Sequence, residues 1–573
     1  MKHIISFIHS TLIIINPWYN IKIMHTNIRA DILSGITVAI IALPLALAFG
    51  EISQLGPVAG IWGAIAGGII GGLFGGCMVG VSGPTAPKAA QIATFMSLFI
   101  IGSTDKPDLI AAFSIIFLSG IVLVFISLLK ISRFIHLTPY SVIAGFMCGI
   151  GVIVILTQIN AFLGLEAEKN IHSVFQNFSK NLKNANPDAL FVALPSLFIL
   201  FSWSRLEQKV DFLKNIPSPL VALIAGTSIA SIMGLNIPYI GDKMGGAKEA
   251  EIFSLYVPDL TRLSEFIIPA LALAGLAILD SLLSCKVADN MTGEHHSSDK
   301  ETFGQGMANI AAGLVGGVTT ATATMRTVAN IKFGGQTPLA SIVHGLTLLA
   351  ILLGLGFLVE AIPTACLAAI LFKVGIDIMD YRILPIIKKL PNTDLIVFII
   401  VLFVTVYEDL MVAVAIGVIF AVLKSLNQIK SIVKSNFKHK IISLQDSKYS
   451  PKKMDDERLN KLPVLILQPH GPLFFASIEK LIQTYSKIKE HELLIVDLDK
   501  VTMIDLSGVF SLEDLIIGAR KNGIKVFVTN ASSNVNNVLS NLGFIRKIGS
   551  DNYNRSHNAV TSFINERFNI NIS

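Results

Sequence analysis

Between residues 32 and 423 the chain passes through fourteen apolar stretches of about 20 residues each, the length a helix needs to cross the hydrocarbon core of a bilayer. So many fully apolar helices cannot be hidden inside a soluble domain. The sequence therefore predicts a polytopic α-helical membrane protein, with the lipid bilayer as its principal partner. Composition agrees: 52% of the residues are hydrophobic and 15% are charged, where a soluble domain carries roughly 25% charged residues. With a mean hydropathy of +0.66, an ordinary soluble enzyme, a disulfide scaffold and a disordered chain are all excluded. No enzymatic activity, resident cofactor or nucleic-acid partner is expected.

Charge is unevenly placed along the chain. Residues 429–573 hold 34 of the 84 charged side chains, 20 basic and 14 acidic, while residues 1–428 balance at 25 against 25. The whole net charge of +6 thus sits in the tail. This shift sets the expected domains: a cytoplasmic N-terminal segment at 1–28, a transmembrane domain at 29–428, a basic linker at 429–461 and a soluble domain at 462–573. The apolar stretch 4–15 is short and lacks a small-residue cleavage site, so it reads as a lead-in and not a signal peptide. Lysines and arginines concentrate in alternate short loops (Lys130 and Arg133; Arg205, Lys209 and Lys214; Arg382, Lys388 and Lys389), which places both termini and the tail inside, most simply at a plasma or inner membrane. The linker's lysines suit anionic lipid heads. Cys77, Cys148, Cys285 and Cys366 stand singly in apolar surroundings and read as small buried hydrophobes.

Two short matches point to an internal repeat. Gly72-Leu73-Phe74-Gly75-Gly76 recurs as Gly313-Leu314-Val315-Gly316-Gly317, and Pro139, Ala144 and Gly151 recur with the same spacing as Pro363, Ala368 and Gly375. Their common order favours two repeats of seven spans, about 29–234 and 263–428, and the odd number inverts the second copy across the membrane. The segments after the Gly-Gly pairs are the informative ones. Residues 81–88, with Pro84 and Pro87, cannot form a continuous helix, and residues 319–326, with four threonines and Arg326, are too polar to face lipid. Thr85 and Arg326 fall at equal offsets, nine residues past Gly76 and Gly317. Both segments read as half-helices that start inside the membrane. Two such N-termini meeting from inverted repeats would make an anion site near the midplane.

Three charged residues lie at membrane depth. Asp280, in the run 275–284, could offer its carboxylate together with the Ser284 hydroxyl to Na⁺, could carry H⁺, or could form a structural salt bridge with Lys88 or Arg326. Arg326 either lines the anion site or reaches to the cytoplasm. Lys88 stands one turn beyond Thr85 and either strengthens the field for an anion, pairs with Asp280, or loses its proton through burial.

Four stretches carry a resemblance to a known family: Asp31 to Thr37 continuing through Ala42 to Gly50; Ser82-Gly83-Pro84-Thr85; Asp280 to Ser284 through Asp289 to Gln305-Gly306; and Arg326 to Asn330 followed by Thr337 to Ala340. The chain resembles the SulP sulfate permeases and their animal relatives in solute carrier family twenty-six, from about residue 29 to 550. The resemblance implies a fourteen-span, seven-plus-seven inverted-repeat fold, a core domain moving against a gate domain, a homodimer, and transport of an inorganic anion such as sulfate or bicarbonate. It places the anion between Thr85, Ala86 and Lys88 on the third span and Ala323, Thr324, Met325 and Arg326 on the tenth. The chain looks most like the bacterial Na⁺-bicarbonate branch, whose aspartate and hydroxyl residue at the Na⁺ site match Asp280 and Ser284. Lys88 departs from the small or apolar residue of that pattern. The threonine that would match Ala323 is missing, and the adjacent Thr322 is expected to join Asp280 and Ser284 in cation coupling.

In the tail, apolar runs at 464–467, 493–497 and 526–529 alternate with helix-like stretches at 478–489 and 508–523, a β/α pattern. It resembles a STAS domain. There Asp497-Leu498-Asp499 is followed by Asp505-Leu506-Ser507-Gly508, and Ser507 matches a serine that is phosphorylated in bacterial anti-sigma-factor antagonists. In transporters this loop is usually structural, so Ser507 is either a point of regulation by a cytoplasmic partner or a packing residue. The expected function is secondary active anion transport coupled to Na⁺ or H⁺; a channel or exchanger of the same fold, or a membrane-anchored signalling scaffold, would be the alternatives.

Overall fold

The computed structural model describes residues 14–96, 108–132, 140–166, 171–210, 216–243, 255–292, 294–354, 360–379, 383–407, 462–474, 491–554 and 556–568, with short pieces at 99, 213, 440–442, 444, 447–450, 481 and 485. Arg133, Pro139, Lys214, Arg382, most of the lead-in 4–15, the end of the last expected span, most of the linker and nearly all of the helix-like stretch 478–489 fall outside the described residues. The chain folds as two compact units, one within residues 1–135, 147–379 and 403–411, the other within 136–146, 380–402 and 412–573.

Apolar helices make up the first unit, and their order follows the sequence pattern. They are α1 (Ile28–Ile52), α2 (Pro57–Ala66), a two-residue strand β1 (Ser82–Gly83), α3 (Ala86–Met96), α4 (Leu109–Leu128), α5 (Tyr140–Phe162), α6 (Pro187–Glu207), α7 (Ser218–Met233) and α8 (Leu263–Thr292). After these come α9 (Ser298–Leu314), a second two-residue strand β2 (Ala321–Thr322), α10 (Thr324–Lys332), α11 (Leu339–Gly354), α12 (Thr364–Ile378) and α13 (Asn392–Tyr407). Residues 140–146 of α5 and 392–402 of α13 belong to the second unit. Five helices among the described residues are long and apolar enough to cross a membrane unaided. The shorter ones include α3 and α10, each begun by extended residues, as the prolines at 84 and 87 and the polar run at 319–326 require. Between Gly67 and Gly71, at the end of α2, the backbone winds as a π-turn.

Small residues let these helices pack closely. A Cβ on Gly60 of α2 would stand 1.8 Å from the Ala46 carbonyl oxygen of α1, and one on Gly120 of α4 would stand 2.6 Å from the Gly306 carbonyl oxygen of α9. Ile92, Phe95 and Met96 of α3 meet Ala112, Phe113 and Ile116 of α4 and Phe266 and Leu273 of α8 in one apolar cluster. Phe125, Phe198, Ile232 and Ile268 are turned outward on α4, α6, α7 and α8, as helices bordered by lipid would have them. All four cysteines are buried.

The second unit contains a four-stranded sheet ordered β3 (Lys440–Ile442), β4 (Val464–Gln468), β6 (Leu493–Asp497) and β8 (Lys525–Thr529). Between them in sequence lie β5 (Gly471–Leu473) and β7 (Val501–Ile504), which pair in parallel with each other. In the larger sheet β4, β6 and β8 run parallel and β3 lies antiparallel on β4. Helix α14 (Leu506–Lys521) lies between β7 and β8, and α15 (Ser533–Asn541) and α16 (His557–Arg567) come after β8. The core joins Ile466, Ile495 and Phe527 of the sheet to Val560 and Ile564 of α16. The apolar runs of the tail are therefore its central strands, as their alternation with helical stretches predicts.

Candidate site at two crossing half-helices

Strands β1 and β2 pair antiparallel, Ser82 opposite Thr322 and Gly83 opposite Ala321. Each runs directly into a short helix, so α3 and α10 begin side by side. The first helical hydrogen bonds are donated by Ala89 to the Thr85 carbonyl and by Thr327 to the Ala323 carbonyl. Amides ahead of those two points have no intrahelical acceptor. No side chain caps α10, and Thr324 and Met325 at its start are exposed. The sequence-predicted residues Thr85, Ala86, Ala323, Thr324, Met325 and Arg326 all lie in this crossing.

Arg326 does not reach to solvent. It is 1% exposed, and neither Nη1 nor Nη2 has a hydrogen-bond partner. Its guanidinium lies on Gly83, where a Cβ would stand 1.8 Å from Nη1. A fully buried guanidinium with free N–H groups adds positive potential to the two helix ends.

Asp280 enters from α8. Thr85 lies beside its carboxyl and Lys88 acts on it electrostatically, yet neither Asp280 Oδ2 nor Thr85 Oγ1 makes a hydrogen bond of ordinary geometry. Among the described residues no direct ion pair joins Asp280 to Lys88 or Arg326. One helical turn on, Ser284 Oγ and Thr324 Oγ1 are 2.7 Å apart. Ser281 Oγ accepts from the Thr322 amide at 3.2 Å. Lys88 is fully buried and its ammonium donates to the Thr320 carbonyl.

Behind the crossing lies a polar network on α9 that sequence reasoning missed. Glu301 Oε2 accepts from the Gly76 and Cys77 amides at 2.8 and 2.9 Å, and Oε1 accepts from Gln305 Nε2 at 2.9 Å and from the Thr322 hydroxyl. Gln305 Nε2 also lies 2.7 Å from Ser82 Oγ. Asn309 Oδ1 accepts from the Thr319 hydroxyl and the Thr320 amide, while its Nδ2 donates to the Thr320 carbonyl at 2.9 Å. These three residues follow at intervals of four on one helix face, and that polar stripe was the available signal. His344 of α11 was missed as well: it is fully buried, and both ring nitrogens lack partners.

Two more of the stretches that carry the family resemblance also come together in space. Asp31 Oδ1 accepts from the Gln336 amide at 2.8 Å and Oδ2 from the Thr337 hydroxyl at 2.5 Å, while Ser34 Oγ donates to Asn330. Comparison with known proteins identifies this arrangement. Residues 28–401 match the sulfate permease family and residues 457–559 match the STAS domain. The chain belongs to the sulfate permease family. As a sulfate permease family member it is an integral, multi-pass membrane protein with a C-terminal STAS domain. It is 33% identical over 540 residues to the bicarbonate transporter BicA of Picosynechococcus sp., covering 92% of this chain and 93% of that protein. To the putative sulfate transporter YvdB of Bacillus subtilis it is 30% identical over 565 residues, covering 95% of this chain and 98% of that protein. The solved transmembrane domain of a cyanobacterial BicA, 33% identical, superposes with a TM-score of 0.58 over 69% of this chain and 98% of that one. A structure of SLC26A9, 19% identical, shares the fold with a TM-score of 0.61 over 96% of this chain and 91% of that one.

In the STAS domain, Ser507 lies at the start of α14, where Asp505 Oδ1 accepts from the Gly508 amide at 2.7 Å. The Ser507 hydroxyl accepts a hydrogen bond from the Tyr140 amide at 3.0 Å, and the Tyr140 and Phe510 rings meet edge to face. Ser507 is thus buried, with its hydroxyl engaged by backbone.

Proposed function

We propose that this protein is a secondary active transporter of an inorganic anion of the sulfate or bicarbonate class, with both termini cytoplasmic and driven by a Na⁺ or H⁺ gradient. One observation carries the reading: two uncapped helix N-termini start side by side, next to a buried guanidinium. Donors fixed in that way can take over an anion's hydration shell without reorganising. The names of the relatives, one a bicarbonate transporter and another a putative sulfate transporter, support the substrate class. Thr85, Ala86 and Thr324 to Arg326 would hold the anion, and Asp280 would supply the negative charge through which a cation assists its passage. Each ion lowers the electrostatic cost of bringing in the other. A homodimer, as the family resemblance implies, is part of the same proposal.

Reconstituted liposomes test this. Labelled bicarbonate and sulfate would be offered under separate Na⁺ and pH gradients, and one of the two anions is expected to accumulate uphill. Asp280→Asn should abolish the gradient-driven part of that uptake. Stimulation as in the wild type by the same gradient would remove Asp280 from the coupling site, and flux that never exceeds equilibrium would make the protein a channel or exchanger.

A further inference from the structure

Of the two coupling cations, Na⁺ has a definite requirement: several hard oxygen atoms free to converge on it. The oxygens around Asp280 do not meet it. Ser284 Oγ and Thr324 Oγ1 are hydrogen-bonded to each other. The Thr322 hydroxyl is held by Glu301 and Gln305. The Thr320 carbonyl is taken twice, by Asn309 Nδ2 and by the Lys88 ammonium. What remain free are Asp280 Oδ2 and the Thr85 hydroxyl beside it, two side-chain oxygens where Na⁺ needs several.

Lys88 explains why. Its side chain leaves the third residue of α3, crosses to the segment just before β2 and donates from its terminal nitrogen to the Thr320 backbone oxygen, within electrostatic reach of Asp280. With both groups ionised, one carboxylate and one ammonium already balance. A Na⁺ added there would leave an uncompensated positive charge at membrane depth, beside Arg326 as well. We infer that the Lys88 ammonium is the resident cation of this site, a tethered replacement for Na⁺, so that the protein neither binds Na⁺ near Asp280 nor needs it for transport. The inference rests on the proposed transport function only for its second half. The first half concerns binding alone.

The test is therefore made on binding. Purified full-length protein in detergent is titrated with ²²Na⁺, with Asp280→Asn as the control for the site. Wild type should show no saturable Na⁺ binding that Asp280→Asn removes. Lys88→Ala, and Lys88→Thr as a second variant in case the first fails to fold, should gain such binding, at least about tenfold above wild type. That gain should vanish when Asp280→Asn is added. Asp280-dependent Na⁺ binding in the wild type overturns the inference, and so does a folded Lys88 variant that gains none. Should neither Lys88 variant fold, the wild type decides through uptake: equal rates in Na⁺ and in choline support the inference, and a loss in choline overturns it. A protein that moves no anion under any gradient would refute the transport reading and leave the binding result standing.

Discussion

Gly83 shows how tightly single residues are specified at the crossing. Any side chain there must displace the Arg326 guanidinium, since its Cβ would stand 1.8 Å from Nη1. Gly83→Ala is expected to cost on the order of 1–3 kcal/mol through overpacking and to weaken anion binding as the guanidinium moves. A thermal melt of the purified protein together with the KM for uptake would check this; unchanged values of both would mean that Arg326 has room to move. Much of the site at this scale was legible in the sequence because it breaks rules. Pro84 and Pro87 cannot belong to a continuous helix, Asp280 is a carboxylate in an apolar run, and Arg326 ends a polar stretch where lipid-facing residues belong. His344 broke the same rule and was overlooked. The partners of Lys88 were not legible, because a four-carbon stem can reach in any direction and only the fold shows that its nitrogen ends at the Thr320 carbonyl.

Among the elements, α9 holds the crossing together. Its Glu301 accepts from the amides of Gly76, which closes the first Gly-Gly pair, and of Cys77 after it, and from the Thr322 hydroxyl on the strand that follows the second pair. Glu301→Ala would strand these buried donors, and a loss of about 3–5 kcal/mol follows by analogy with a broken buried pair. The melting temperature of the purified variant measures it, and Glu301→Gln, which keeps one acceptor oxygen, should recover part of the loss. A melt equal to wild type would show that water satisfies those amides. The two half-helices were foreseeable as elements, since proline, glycine and threonine act on the local backbone. The support of α9 was not, because Asp299, Lys300 and Glu301 look in sequence like the ordinary polar end of a membrane helix.

At the scale of the whole molecule, the break in charge density near residue 428 separates apolar helices from an α/β domain with a stability of its own to test. Tyr449 ties that domain's sheet to its flank: its hydroxyl is 2.7 Å from Thr529 Oγ1, accepts from Asn530 Nδ2 at 2.7 Å, and its ring stacks on His557. Tyr449→Phe removes both hydrogen bonds while Asn530 Nδ2 keeps Asp497 Oδ1 as an acceptor, and should cost about 1 kcal/mol, seen as an earlier unfolding transition of the STAS domain in the full-length protein. Burial pushes the phenol up to about 12. An unfolded tyrosine ionises near 10, so this contribution is intact below about pH 10 and is lost as pH rises toward 12. Alkaline denaturation followed by circular dichroism should be less steep in Tyr449→Phe, and an identical profile would remove Tyr449 as the source. The pairing of β1 with β2 has a kinematic consequence. Two residues from each half of the chain are stitched edge to edge, so the helices that follow them cannot slide apart without breaking that seam. Whatever motion opens the site to one side of the membrane and then the other must carry both halves of it as a single moving part, and spin labels placed on α3 and α10 should keep one separation throughout the cycle.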